Sequence, residues 1–380
     1  MKIIADANIP FVAECFSSIG QVVVVPAQDI TQAIVRDADI LLVRSVTKVN
    51  FDLLADSKIR FVATATIGFD HIDTEFLQSR NISFASAPGS NANSVAEYVV
   101  AALLSVGKKL KIRLEGKSIG IVGVGNVGSL VEKKAKALGM KVYLNDPPLQ
   151  RQTGDPKYLP IEKLFNCDFI TLHTPLTFDG LDKTYHMADE TFFDSLKAGC
   201  VFINTARGAV METQALKTAI KSGKLKAAVL DVWENEPDID AELIKMLDLS
   251  TQHIAGYSLD GKIAGTIMIY NAACRYLAIK PEKTIEDFLP EPLIPQINIE
   301  PAGGDEQEIL HQTVQQVYTI NRDDFNTREI IMVPADERGQ FFVDLRKNYP
   351  VRREFQNTQI LIPNKKCGMA EKLKGIGFKV

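Results

Sequence analysis

The chain predicts an α/β protein of two doubly wound parallel-sheet domains joined by crossing helices, followed by a smaller α+β C-terminal domain. Three observations carry this. Short apolar runs alternate with helical stretches over residues 1–92. An apolar strand at 119–122 runs into a glycine triplet, Gly123, Gly125 and Gly128, ahead of a second strand that ends on Asp146. From Pro281 the composition turns proline-rich and then gives way to a shorter mixed segment. At 380 residues the chain also exceeds one ordinary core, so two or three domains are expected.

The runs at 2–5, 22–25, 40–43 and 61–64 are short and rich in Ile, Val, Leu and Phe, as buried parallel strands are. Residues 92–110 hold apolar and small side chains at helical spacing and predict a long helix leading from the first domain into the second. Apolar runs at 168–173, 201–204 and 227–231 continue the second sheet, each followed by a loop. Near His253 the pattern breaks, and a helical stretch at 262–278 is expected to cross back. Residues 1–92 are then completed by 257–283, and residues 93–256 form the second, nucleotide-binding domain. Pro290, Pro292, Pro295 and Pro301, with Gly303 and Gly304, read as a linker. Beyond it lie a helix candidate at 306–318 and apolar or alternating runs at 329–333, 340–344 and 358–362. This third domain, residues 284–380, shows no catalytic constellation, and its expected task is self-association.

Composition narrows the function. A hydrophobic fraction of 46% and a charged fraction of 24% are those of a soluble globular protein. A net charge of −4 argues against a dedicated nucleic-acid surface, so any phosphate site must be built from local cations. The N-terminal segment predicts no signal peptide, and no apolar run is long enough to span a bilayer, so no membrane partner is expected. The five cysteines, Cys15, Cys167, Cys200, Cys274 and Cys367, are scattered and lack C-x-x-C spacing. That pattern points to a reduced cytoplasm and no metal site, with Cys167 and Cys200 as small buried hydrophobes.

The glycine triplet has G-x-G-x-x-G spacing, and each glycine has its own task. Gly123 permits the tight turn, Gly125 lets backbone approach a pyrophosphate, and Gly128 lets helix and strand pack closely. The following helix, opening at Asn126 and Val127, offers unpaired N–H groups and a positive dipole end to phosphates. Asp146, 18 residues beyond Gly128, is placed to accept hydrogen bonds from a ribose, and its charge would repel a 2′-phosphate. Strand, helix and acid in register define a Rossmann-like dinucleotide site that favours NAD over NADP.

Three loops after later strands of that domain carry Arg207, Glu236 and His253. Parallel α/β folds place ligands at the carboxyl ends of their strands. A guanidinium can clamp a carboxylate and hold the adjacent oxygen. An imidazole can take the hydroxyl proton as hydride leaves the carbon, and a neighbouring carboxylate orients it and favours its protonated form. This set suits oxidation of a 2-hydroxy acid. Arg44, with Ser45 and Lys48, is a candidate phosphate clamp on a loop after a strand. His71 and His173 read as structural, His186 and His311 have no motif around them, and Trp233 reads as packing a loop.

These blocks, in this order and spacing, resemble the NAD-dependent D-2-hydroxyacid dehydrogenases over residues 1 to about 280: the glycine motif, Asn204–Gly208, Asp231-Val-x-x-x-Glu-Pro and His253–Gly256. The stretches 42–48, 63–73, 87–98, 145–148 and 253–258, with the extra C-terminal domain, resemble a narrower branch of that family. Members of that branch oxidise 4-phospho-D-erythronate in pyridoxine and pyridoxal 5′-phosphate biosynthesis and dimerise through the C-terminal domain. The resemblance implies catalytic roles for Arg207 and Glu236, with His253 the proton carrier. It implies substrate contacts at Ser45, Thr66 and Tyr257, and NAD contacts at Asp146, Thr174, Ala206, Arg207, Gly208, Asp231 and Gly256. The loop near Gly68 commonly holds a further glycine in the wider family, where Thr66 stands here; this favours a specialised site over a lactate-type one. Alternatives stay open: the same mechanism on 3-phosphoglycerate or a plain hydroxy acid, or an NAD-sensing protein without turnover.

Overall fold

A computed structural model describes residues 1–299, 305–363 and 368–380. Pro301, Gly303 and Gly304 of the expected linker, and Cys367, lie outside the described residues. The chain divides into two compact units, one of residues 1–91 and 258–291, the other of 92–257 and 292–380.

In the first unit, β1 (Lys2–Asp6), β2 (Gln21–Val25), β3 (Ile40–Val43), β4 (Phe61–Thr64) and β5 (Ser83–Ala85) form one sheet in the order β2-β1-β3-β4-β5. All its pairings are parallel. Successive side chains of a strand face opposite sides, and the core obeys this. Ile3, Ala5, Ile40, Leu42, Phe61 and Ala63 pack on one face with Ile263, Ile267 and Tyr270 of the helix Leu259–Tyr276. Ile4, Leu41, Val43 and Val62 pack on the other. Both faces are covered, which is why these strands read as continuous apolar runs.

In the second unit, β6 (Ser118–Val122), β7 (Lys141–Asn145), β8 (Phe169–Leu172), β9 (Cys200–Asn204), β10 (Leu225–Leu230) and β11 (Leu249–Ser250) form a sheet in the order β11-β10-β9-β8-β6-β7. It is parallel throughout. The helix Ala92–Leu110 is buried on every side from Val95 to Leu104, as a helix central to a large core must be. Its one buried acid, Glu97, accepts from the Phe355 N–H at 3.0 Å and from Asn93 Nδ2 at 3.0 Å. Burial pushes its carboxyl up, to about 8, against the pull of Lys134.

The C-terminal segment does not stand apart from this core. Its strands β12 (Gln296–Asn298) and β13 (Gln359–Leu361) pair in parallel. Leu310, Val314, Phe355, Ile360, Leu373 and Phe378 join the cluster around the helix Ala92–Leu110, while Ile330 and Phe342 join the cluster on the opposite face of the sheet. Two of the runs expected to be apolar or alternating are helical: a 3-10 turn at Glu329–Met332 and a helix at Arg338–Lys347. Among the described residues no helix is long and apolar enough to cross a membrane. No group of three or more His, Cys, Asp or Glu among them could hold a metal ion.

Candidate active site

The three glycines of the triplet differ in what a side chain would meet. Gly123 has φ +85°, and an added Cβ would lie 2.8 Å from the His173 carbonyl, so both conformation and space require glycine. At Gly128 the Cβ would stand 2.0 Å from the Gly123 carbonyl oxygen, the close approach of helix to strand. Gly125 faces open space, with nothing within 4 Å, at the N-cap of the helix Asn126–Ala137. An open cradle at a helix N-terminus fits a pyrophosphate. Asp146 closes the turn: Oδ2 accepts from the Val124 N–H at 2.7 Å, and Oδ1 caps the helix Pro147–Thr153 through the Leu149 N–H at 3.0 Å. Each oxygen keeps capacity for a ribose hydroxyl. The Thr174 hydroxyl, on the loop after β8, is buried without a protein partner, an orphan that a bound dinucleotide would satisfy.

Arg207, Glu236 and His253 follow the neighbouring strands β9, β10 and β11, and hydrogen bonds tie their loops into one assembly. Asn204, the last residue of β9, shapes the first loop: its Oδ1 accepts from the Ala206 N–H at 3.0 Å and its Nδ2 donates to the Arg207 carbonyl at 3.1 Å. Arg207 Nη1 donates to the Ala206 carbonyl at 2.8 Å. A Cβ on Gly208 would fall 1.9 Å from the Trp233 carbonyl, so this loop lies directly on the backbone of the second. Trp233 is buried and donates through Nε1 to the Thr251 carbonyl at 2.9 Å, joining the second loop to the third.

His253 sits in the left-handed region, φ 57°, where a residue with a Cβ costs roughly 1–2 kcal/mol. Asp231 holds it there. The resemblance assigns Asp231 to the cofactor; its carboxylate is buried at the end of β10 and bonds to the third loop. Oδ1 accepts from the Ile254 N–H at 2.7 Å and the Thr251 hydroxyl at 2.7 Å, Oδ2 from the Ala255 N–H at 2.9 Å. Its carbonyl accepts from the His253 N–H at 2.7 Å.

The imidazole so placed meets Glu236, with Nδ1 at 2.7 Å from Oε2. Oε1 of Glu236 accepts from the Trp233 N–H at 2.9 Å. Burial would raise this carboxyl, but His253, the Arg346 guanidinium and the Trp233 N–H outweigh it and hold it below its ordinary 4.5. An ionised carboxylate on Nδ1 leaves Nε2 as the nitrogen able to exchange a proton with a substrate, the arrangement of an oriented general base.

His173, by contrast, is structural: its ring nitrogens lie 3.0 Å from the Thr171 hydroxyl and 3.2 Å from that of Thr205, and burial lowers its pKa to about 3. His186, without a sequence motif, pairs with Glu234, whose other oxygen accepts from the Thr213 N–H. Burial pushes the Cys15 and Cys200 thiols up to about 12 and Cys167 to about 11, which leaves them inert.

In the first unit, Arg44 and Ser45 follow β3 and Thr66 follows β4, at the carboxyl ends of adjacent strands. Arg44 Nη1 is buried with no acceptor, while Ser45 is exposed. The Thr66 hydroxyl donates to the Gly68 carbonyl at 2.8 Å and lies 2.6 Å from the Thr64 hydroxyl, which is in turn 3.1 Å from His71 Nε2. Tyr257, in the second unit, accepts at its hydroxyl from Arg346 Nη2 at 3.0 Å. Arg346 belongs to the segment the sequence leaves without chemistry, and no motif there marks it.

A doubly wound sheet with this glycine turn, an acid at the ribose position and an oriented Glu–His pair beside a loop arginine defines an NAD-dependent dehydrogenase of the D-2-hydroxyacid class. A family model described as D-isomer specific 2-hydroxyacid dehydrogenase, NAD binding domain, matches residues 94–255, and a domain of unknown function, DUF3410, matches residues 288–377. The erythronate-4-phosphate dehydrogenase of Hahella chejuensis is 40% identical over 380 residues, covering 100% of this chain and 99% of its own. That of Proteus mirabilis is 41% identical over 379 residues, with 100% and 99% covered. The chain belongs to the erythronate-4-phosphate dehydrogenase family. Its fold is also that of the TT0316 protein of Thermus thermophilus, with a TM-score of 0.65 at 23% identity over 74% of this chain and 99% of that one.

Proposed function

We propose that this chain oxidises 4-phospho-D-erythronate to (R)-3-hydroxy-2-oxo-4-phosphooxybutanoate, a step in pyridoxine and pyridoxal 5′-phosphate biosynthesis. NAD, when bound, supplies the hydride acceptor. Arg207 clamps the carboxylate and holds the neighbouring oxygen, fixing the carbon from which the hydride leaves. His253 Nε2 takes the proton from the hydroxyl, and Glu236 holds the ring in position and stabilises the imidazolium that results. Arg44 is a phosphate clamp, and Ser45, Thr66 and Tyr257 are substrate contacts. Gly123, Gly125, Asn126, Val127, Gly128, Asp146, Thr174, Ala206, Arg207, Gly208, Asp231 and Gly256 hold the cofactor. Residues 284–380 make the homodimer contact, and a cytoplasmic setting suits the buried free thiols of Cys15, Cys167, Cys200 and Cys274.

The observation that carries this reading is the 2.7 Å bond between Glu236 and His253, held by a backbone that Asp231 keeps in a costly conformation. The test is direct. Purified protein is incubated with NAD and a panel of phosphorylated and plain hydroxy acids, and nicotinamide reduction is followed at 340 nm, roughly its absorbance maximum. Turnover is expected with 4-phospho-D-erythronate above all others, and His253→Ala is expected to lose turnover while binding NAD as before. Preference for 3-phosphoglycerate, or function unchanged by His253→Ala, would defeat the assignment.

A further inference from the structure

We propose that Arg346, on the helix Arg338–Lys347 of the C-terminal segment, binds the phosphate of the substrate and so helps to set its specificity. This rests on the reading of the substrate as a phosphorylated hydroxy acid. Three arginines of the segment invite comparison. Arg328 is satisfied: Nε donates to Asp324 at 2.9 Å, Nη1 to the Ile244 carbonyl at 3.0 Å and Nη2 to the Leu247 carbonyl at 2.9 Å. Arg338 donates through Nε to the Val333 carbonyl at 3.0 Å. Arg346 is different. Its Nη2 reaches the Tyr257 hydroxyl at 3.0 Å, but its Nε is buried with no acceptor, and it makes no ion pair among the described residues.

A charged donor buried without an acceptor costs more than a neutral one, so the group is held for a partner that arrives. Its surroundings say which. The guanidinium lies against Tyr257, 5.5 Å from the ring centroid, and against Phe342, 5.8 Å away, two faces that fix its plane. The Glu236 carboxylate is not that partner: among the described residues no hydrogen bond or ion pair joins it to Arg346, and its oxygens accept from His253 and from Trp233. A fixed planar edge with unused N–H groups matches two oxygens of a phosphate monoester dianion. Arg346 thus stands against Tyr257, four residues beyond His253 in the chain, and its charge helps to hold the Glu236 carboxyl low.

The experiment compares wild type with Arg346→Gln and Arg346→Lys on 4-phospho-D-erythronate and on unphosphorylated erythronate, with NAD affinity by calorimetry as the check on folding. Arg346→Gln is expected to raise KM for the phosphorylated acid about 30–100-fold, while kcat/KM for erythronate, which still depends on the Tyr257 and Glu236 that Arg346 touches and charges, falls only a few-fold. Arg346→Lys should recover part of the loss. Inorganic phosphate should raise the melting temperature of wild type and compete with substrate, and do neither in Arg346→Gln. Equal losses on both acids, or no loss on either, overturn the proposal. If Arg346→Gln fails to bind NAD, Arg346→Lys carries the same comparison, since it keeps the charge and loses the planar fork. Wild type inert toward 4-phospho-D-erythronate, yet stabilised by phosphate through Arg346, would sink the substrate reading and leave the phosphate site standing.

Discussion

Alanine at Gly125 and alanine at Gly128 should produce opposite phenotypes, although the two positions are three residues apart in one motif. At Gly128 the new methyl would lie 2.0 Å from the Gly123 carbonyl oxygen and 3.0 Å from its carbon. Neither atom belongs to a flexible side chain, so strand and helix must separate. Over-packing of this kind costs about 1–3 kcal/mol, and a contact against backbone belongs at the upper end. At roughly 2–4 °C per kcal/mol for a unit of this size, the melting temperature without NAD should fall by about 6–12 °C. At Gly125 the methyl meets no protein atom within 4 Å, and the residue has φ −71°, which any residue adopts. Stability without NAD should therefore stay within about 1 kcal/mol. The methyl would nevertheless occupy the space a pyrophosphate needs, and NAD affinity should fall at least 100-fold, about 2.8 kcal/mol. Thermal unfolding without NAD and calorimetric titration with it read the two effects separately. NAD binding at wild-type strength in Gly125→Ala, or wild-type melting in Gly128→Ala, would refute the division of labour.

Glu236→Gln should retain NAD binding and lose about 10–100-fold in kcat, because the amide no longer stabilises the imidazolium. The Glu236 carboxyl is held below 4.5, so its contribution to stability is fully present above that pH and disappears as pH falls through the lowered value. The stability difference between wild type and Glu236→Gln, from denaturant titrations, should thus close on acidification; a constant gap from pH 7 to pH 3 would contradict this. In Gly208→Ala the added methyl falls 1.9 Å from the Trp233 carbonyl, which should displace the Arg207 loop and cut kcat/KM by roughly 100-fold or more. Unaltered kinetics would mean that this close packing does not position Arg207. Arg44→Ala should raise KM for the phosphorylated acid far more than for the plain one, and equal effects would remove Arg44 from the phosphate site.

Much of this was written locally in the chain. The strands β3 and β4 and the helix Ala92–Leu110 fall where the apolar runs place them, because each is long enough, or buried enough on both faces, to leave an unbroken signal. The glycine triplet carried the cofactor turn, since positive φ and close backbone approach admit few substitutes. Edge strands were harder: β5 has three residues and β11 two, too few to show a period. The helix Arg338–Lys347 contains Phe341, Phe342 and Val343, which favour a strand by propensity, and packing of Phe342 against the sheet decides otherwise. The loop bonds of Asp231 and the reach of Arg346 were illegible for one reason. Both depend on partners set by tertiary structure, and Arg346 meets Tyr257 across 89 residues of sequence.

The packing of the C-terminal segment has a consequence for anyone who would cut the chain. Arg352 donates to the Ala255 carbonyl and Arg346 to the Tyr257 hydroxyl, on either side of Gly256 and just past the His253 imidazole. Removing residues 292–380 would strip that loop of its bracing and lay bare the apolar faces that Phe355 and Phe342 now cover. Loss of activity on truncation would then say nothing about assembly. The proposed homodimer contact is better tested by recharging exposed side chains such as Phe325, Met332 or Leu293 while leaving the backbone whole.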